Sequence, residues 1–391
     1  MTAARRIFPP PANPHCDSVA LRRLGPRKRT AKTLRGEITY WRTVWECPKT
    51  RLQVAPLDEE IGLDRGARMT REVVSKVTWA GARSAYGGAA EDLRRLAGIE
   101  VSRGEFARVV LEEGDRVSAL QEEREERWSE PVASDRPVFP AEEECDRLVV
   151  EADATAVLTV AGEEHKMVYC ARAYDADDRY EKGGRTMLAR DSRYAASGET
   201  IEEFRYSVDA LANRMGARSA KGMAFVADGA PGLWNLASER LPRAVQIQDF
   251  WHVTEHLFAL ARVLHGDGTP ESRGAGERWK KMLYEGKVEA IVSECRERHK
   301  IHRGAKRKKL ADEIRYLEEG KHRMDYPRYR ADGWPIGSGA VEATCKHLVK
   351  ERLCVTGARW KRENIPGVLA LRLCRANGEW DRDFPPIAKI A

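Results

Sequence analysis

The chain has 391 residues, of which 42% are hydrophobic and 33% charged, enough apolar material for a core and too much for global disorder. No apolar run approaches the ~20 residues needed to cross a bilayer, and no apolar stretch follows the basic N-terminus, so neither a membrane protein nor a secretory signal is expected. Eight scattered cysteines do not make a disulfide framework and fit a reducing cytosol. Lys and Arg outnumber Asp and Glu by 68 to 61, a net charge of +7 that permits a polyanion partner without requiring one.

Such a length suggests two or three domains. Residues 1–60 read as a basic, partly irregular module with prolines at 9, 10, 12 and 14 and a short strand pattern from Ile38 to Trp45 that ends at Cys47-Pro48. Basic residues concentrate at Arg22, Arg23, Arg27, Lys28, Arg29, Lys32 and Arg35, and again from Arg296 to Lys309, with an acidic stretch over 111–144 between them. Either run is a solvated helix face or part of a surface that meets an anionic ligand. Residues 61–130 read as helical. Ala89–Ala97, a turn at Gly98–Ser102 and a helix from Arg103 to Glu113 make a helix-turn-helix pattern. In a DNA reader the second helix would present Arg103, Glu105 and Arg108 to the major groove, while an ordinary helical hairpin has the same signature. Residues 131–146, rich in Pro, Glu and Asp, read as a linker.

The character changes at 147. Leu148–Val160 and His165–Tyr174 read as strands, Thr186–Ala195 as a weaker one, and Ile201–Met215 as a helix. Gly222–Ala227 is a buried strand ending on Asp228, and Ala244–Phe250 is another, running into Trp251-His252. From there to about Tyr326 the pattern is helical. Strands, a helix and more strands indicate an α/β sheet domain over 147–391, interrupted by a helical insertion at about 253–330.

Three acids stand out. Asp153 lies among Val149, Val150, Val157 and Leu158, and Asp228 follows Phe225-Val226-Ala227. A carboxylate in an apolar strand is costly unless it pairs or binds a cation, and ligands of open α/β sheets sit beyond the carboxyl ends of the strands. A turn cap or a satisfied buried acid is the plainer reading of either alone. Glu342 lies in Pro335-Ile336-Gly337-Ser338-Gly339-Ala340-Val341-Glu342, which opens a helix to about Leu353 with Ser338 as its cap. Glu342, Lys346 and Lys350 share a face by i,i+4 spacing, which suits a metal ligand beside a phosphate backbone and equally a surface salt-bridge ladder. Two carboxylates on strands and one on a helix are what a two-metal phosphoryl-transfer site needs. Without cations three clustered carboxylates would repel.

Taken together, Asp153, Asp228-Gly229-Ala230, Asp249-Phe250-Trp251-His252-Val253-Thr254-Glu255-His256-Leu257 and Trp334 through Glu342 resemble bacterial insertion-sequence transposases of the ISKra group. Cys345 through Lys350, Gly357-Ala358-Arg359-Trp360, Leu369-Ala370-Leu371-Arg372 and Trp380-Asp381 are similar as well, so the resemblance covers the chain from about Arg29 to its end. It implies a ribonuclease-H-like mixed-sheet core with an all-α insertion before the last acid, preceded by a helical, helix-turn-helix-like region. It implies a DDE triad of Asp153, Asp228 and Glu342 holding two Mg²⁺ or Mn²⁺ ions, with Asp249 and His252 in support. His252 also reads as a core histidine at a strand–helix junction, or as a metal pair with His256. The sequence departs from the family in having Asp153-Ala154 where Asp-Gly is common. It also keeps the single Cys47 where relatives carry Cys-x-x-Cys, so a degenerate zinc ribbon that binds no zinc is expected.

The implied activity is DNA transposition in the bacterial cytoplasm, at the nucleoid. Water would attack a scissile phosphate, and the released 3′-hydroxyl would then attack target DNA. Arg103, Arg108, Lys346, Lys350, Arg352, Arg359 and the 296–309 run would contact double-stranded DNA, and two active sites on two DNA ends would call for a homodimer or larger assembly. A metal-dependent nuclease, or a decayed or domesticated DNA-binding protein without catalysis, are the alternatives.

Overall fold

The computed structural model describes residues 11–129, 140–181 and 184–386 apart from 15, 17, 18 and 65, and for 177–181 and 184–188 the backbone only. The expected linker falls largely on 130–139, outside the described residues. Two compact units divide the chain, one of residues 1–117 and 378–391 and the other of 118–377.

In the first unit the strand expected over Ile38–Trp45 is present, and a stretch before it that was expected to be irregular is its partner in a long antiparallel ribbon. Strand β1 (Arg22–Thr33) pairs along its length with β2 (Gly36–Glu46), and a short β3 (Gln53–Val54) adds to β2. The first basic run is therefore a strand and not a helix face. Its cations broke the apolar alternation by which strands are read. Helix α1 (Pro56–Glu60) supplies the buried Asp58, which accepts from Tyr40 Oη at 2.6 Å, from Arg42 Nε at 2.7 Å and from Arg29. Three donors compensate the burial of that charge and fix one face of the ribbon. Helices α2 (Arg71–Arg83), α3 (Tyr86–Ala97) and α4 (Arg103–Trp128) follow. The α3–turn–α4 pattern is present, but α4 runs for 26 residues, past the division after Val117. Gly81 lets α2 and α4 approach closely, because a Cβ there would lie 2.4 Å from Val110 Cγ2.

The second unit holds a five-stranded mixed sheet of β4 (Arg147–Val157), β5 (Lys166–Glu181), β6 (Gly184–Ser197), β7 (Gly222–Ala227) and β8 (Val245–Gln248), in the order β6-β5-β4-β7-β8. Strands β4, β5 and β6 are antiparallel neighbours, while β7 and β8 run parallel to β4. Each parallel step needs a helical crossover, supplied by α5 (Ile201–Arg214) and α6 (Pro231–Arg240). Thr200 and Glu203 form a capping box at the start of α5.

Alternation along the strands sends two sets of side chains to two cores. Leu148, Val150, Ala152, Phe225 and Ala227 pack with α5 and α6. Val149, Ala224, Val226 and Ile247 pack on the other face with α7 (Phe250–His265), α8 (Pro270–Tyr284), α9 (Val288–Lys300), α10 (Gly304–Gly320) and α11 (Tyr326–Ala331). Residues 250–331 form helices and the short connections between them, with no strand. The second basic run joins α9 to α10, and within it Arg296 pairs with Glu318 and Lys300 with Glu297. Helix α12 (Gly339–Cys345) continues through a π-helical turn, Lys346–Lys350, into α13 (Glu351–Leu353), and α14 (Ile365–Ala376) ends the unit. The short α15 (Trp380–Asp383) belongs to the first unit, where Trp380 meets Trp79 edge-on at 4.9 Å and donates to Ser75 Oγ. No described helix is long and apolar enough to cross a membrane.

Candidate functional site

Strands β4 and β7 are paired in parallel register up to Ala152 opposite Ala227, so Asp153, inside β4, and Asp228, just past the carboxyl end of β7, follow that last pair on neighbouring strands. By alternation both belong to the face that carries Val149 and Val226. Burial raises the Asp153 pKa above the ordinary carboxylate range. Asp228 pushes it further up, while the Ala154 N–H, the Cys345 thiol and Lys350 oppose the rise. Asp228 accepts from Ala230 N–H at 3.0 Å, closing the turn after β7. Gly229 is required there. Its φ is +116°, and a Cβ would lie 2.9 Å from both Gln248 Nε2 and the Tyr316 ring. The Tyr316 hydroxyl donates to the Asp228 carbonyl at 2.9 Å.

Glu342 is exposed on the first turn of α12. Partial desolvation raises its pKa, as do the fields of Asp249, Asp153 and Glu255, and His252 opposes them. Glu342 thus stands within the field of the first acid and of the pair Asp249 and His252. The three acids are not gathered more tightly than that, and among the described residues no three His, Cys, Asp or Glu side chains form a group that could hold a metal ion.

Two further carboxylates hold α12 in place. Asp249, 1% exposed, accepts from His252 N–H at 2.6 Å as the N-cap of α7, and from both the N–H and the hydroxyl of Ser338, the latter at 2.6 Å. Ser338 is therefore held by a carboxylate and its own hydroxyl does not cap α12, contrary to the sequence expectation. Glu151, also 1% exposed, accepts from Tyr174 Oη at 2.7 Å and from Val341 N–H at 2.8 Å. A helix start leaves orphan N–H groups, and here two buried acids reach the residues that open α12. Burial pushes the Glu151 pKa up to about 7, against the pull of its two donors. The sequence reading missed Glu151, although it lies one alternation before Asp153 on an apolar strand. Gly337, in the same block, allows the Trp251 ring within 2.9 Å of where a Cβ would be.

The remaining expected residues divide. The rings of His252 and His256 are 5.0 Å apart, and His256 is engaged by Glu313 at 2.6 Å and stacked on Tyr316. Lys346, Lys350 and Arg359 are exposed. The π-helical turn breaks the regular i,i+4 ladder expected from Glu342 through Lys350, since it closes i→i+5 bonds. Arg372 accounts for part of its stability. Buried on α14, it donates to the carbonyls of Leu348 (2.6 Å) and His347, and burial draws its pKa down to about 10. Arg352 is 3% exposed beneath Trp360, its guanidinium 4.8 Å from the ring centroid, so it is a core cation and not the phosphate contact expected of it. Arg108 is paired with Glu112 at 2.6 Å and Glu105 with Lys32 at 2.8 Å, which leaves Arg103 of the three residues expected to read bases. The expected single cysteine, Cys47, is buried in its turn, and hydrogen bonds from Thr50 and Asn13 lower its pKa to about 6.

Comparison with known protein families finds no match, and comparison with curated proteins finds none either.

Proposed function

We propose that the chain is a DNA transposase of the DDE kind, with Asp153, Asp228 and Glu342 as its catalytic acids. The observation that carries this reading is the placement of Asp153 on β4 and Asp228 just past β7, at successive positions beyond the last pair of two neighbouring parallel strands, with Glu342 on a helix within the field of Asp153. The strand order β6-β5-β4-β7-β8, with three antiparallel and two parallel members, is consistent with a ribonuclease-H-like core, and the helices over 250–331 with an insertion before the last acid. The donor set is all carboxylate oxygen, which suits Mg²⁺ or Mn²⁺. These three side chains would hold the ions, which when bound supply Lewis-acid activation of the attacking and leaving oxygens. Asp249 and Glu151 fix the start of the helix that bears Glu342, and exposed Lys346, Lys350 and Arg359 offer cations to the backbone of double-stranded DNA. A bacterial, nucleoid-associated setting and a homodimer on paired DNA ends belong to the same proposal.

A second reading draws on the spacing of the acids. Because they do not meet in a metal-holding group, a DNA-binding protein without catalysis is consistent with the same fold. Strand cleavage and joining with Mg²⁺ on the DNA that flanks the gene separates the two. The transposase reading expects cleaved and joined products from wild type, none in chelator, and a loss of at least about a thousandfold in Asp228→Asn. Equal product from wild type and variant would overturn the triad. Cleavage without joining would identify a nuclease.

A further inference from the structure

The β1–β2 ribbon carries an aromatic platform that its fold does not use. In the antiparallel register Lys28 lies opposite Trp41 and Thr30 opposite Thr39, whose hydroxyls are 3.0 Å apart. Cross-strand partners share a face, so these four form one patch. The other face is committed, since Arg29, Tyr40 and Arg42 all bind Asp58 there. On the patch Trp41 is 66% exposed, although an indole normally supplies core or interface area. Lys28 is exposed and has no ion-pair partner among the described residues. A solvent-facing tryptophan on a cationic strand is complementary to a polyanion with flat apolar faces.

We infer that this face of the ribbon binds single-stranded DNA, one base stacking on Trp41 and adjacent phosphates lying on Lys28 and the threonine hydroxyls. Charge complementarity selects nucleic acid, and the composition of the face selects an unpaired strand. Base edges in a duplex groove are read by Arg, Asn or Gln, and the face, made of Lys28, Thr30, Thr39 and Trp41 with Lys32 and Glu37 at its turn end, has none of these. Stacking platforms next to backbone cations are the means by which single strands are held without sequence preference. Helix α4 is a poorer candidate, because its acidic side chains compete for Arg108 and recur along its length. The inference rests on the proposed function and adds to it a surface for an unpaired strand.

The test is fluorescence anisotropy of the full chain with a labelled oligodeoxythymidylate and with a duplex of equal length. Trp41→Ala is expected to weaken single-strand binding about 5- to 100-fold and to leave duplex binding unchanged. Trp41→Phe, which keeps a ring, is expected to retain most of the affinity and controls for folding. Lys28→Ala is expected to lower the salt slope for the single strand by about 0.7. Wild-type affinity in Trp41→Ala, or an equal loss for duplex and single strand, would overturn the inference. Strand binding is read in chelator, where no cleavage is expected, so a failed cleavage assay and a failed strand-binding assay are separately readable.

Discussion

The two faces of the central sheet are built from the same strands and have opposite chemistry. Toward α5 and α6 the strands present Leu148, Val150, Ala152, Phe225 and Ala227, an entirely apolar set. Toward α7 and α12 alternation places Val149 and Val226 and then Glu151, Asp153 and Asp228, with Asp249 following β8. A carboxylate is expensive to bury, and this chain places several on one side only. Even there the two deepest are fully occupied as acceptors for helix starts. The apolar face holds the sheet together, and the acidic face uses part of that stability to position groups that repel one another.

Breaking the apolar face should therefore cost the most stability. Phe225 is fully buried and meets Trp234 edge-on at 6.0 Å, so Phe225→Ala is expected to destabilise the second unit by about 4 kcal/mol in urea unfolding. A loss below about 1 kcal/mol would mean that this face is not the structural one. On the acidic face Asp249→Ala removes the acceptor for three donors from two helices and is expected to cost about 3 kcal/mol, with part restored in Asp249→Asn, which keeps one acceptor oxygen. A neutral Asp249→Ala would show that α12 is held by packing alone.

The same contrast explains what could be read in advance. The apolar face was legible because apolar residues recur along β4 and a continuous apolar run marks β7, and Asp153 and Asp228 stood out as interruptions of that pattern. Glu151 was not legible as an anchor, because its function is a contact with Val341, far along the chain, and register alone shows it. The π-helical turn and Arg372 were hidden for a related reason: Lys346–Lys350 has ordinary helical composition, and the guanidinium that meets its carbonyls arrives from α14. Strand β2 was read in part, from Ile38 to Trp45, but β1 was obscured by its own cations, since a strand with Arg and Lys on both faces has no hydrophobic period, and one face of the ribbon is explained only by Asp58 on a later helix. Arg352 looked like a surface cation because the sequence does not show Trp360 covering it.

Glu151 sharpens the comparison most finely, since it is a charge buried as deeply as the apolar residues around it. Its pKa in the fold, about 7, stands above the ordinary 4.5, so the folded state holds a proton that the unfolded chain has released. The stability this contributes is complete below the unfolded value and is lost as pH rises through about 7. Glu151→Gln removes the titration and keeps the contacts. The amide oxygen can accept from Val341 N–H, and the amide can donate to the Tyr174 hydroxyl, which rotates to receive it. In metal-free buffer the variant is expected to gain about 2 kcal/mol on wild type between pH 5 and pH 8. Parallel stability curves across that range would show Glu151 to be ionised throughout, its charge compensated by Tyr174 and the start of α12 more completely than its burial suggests.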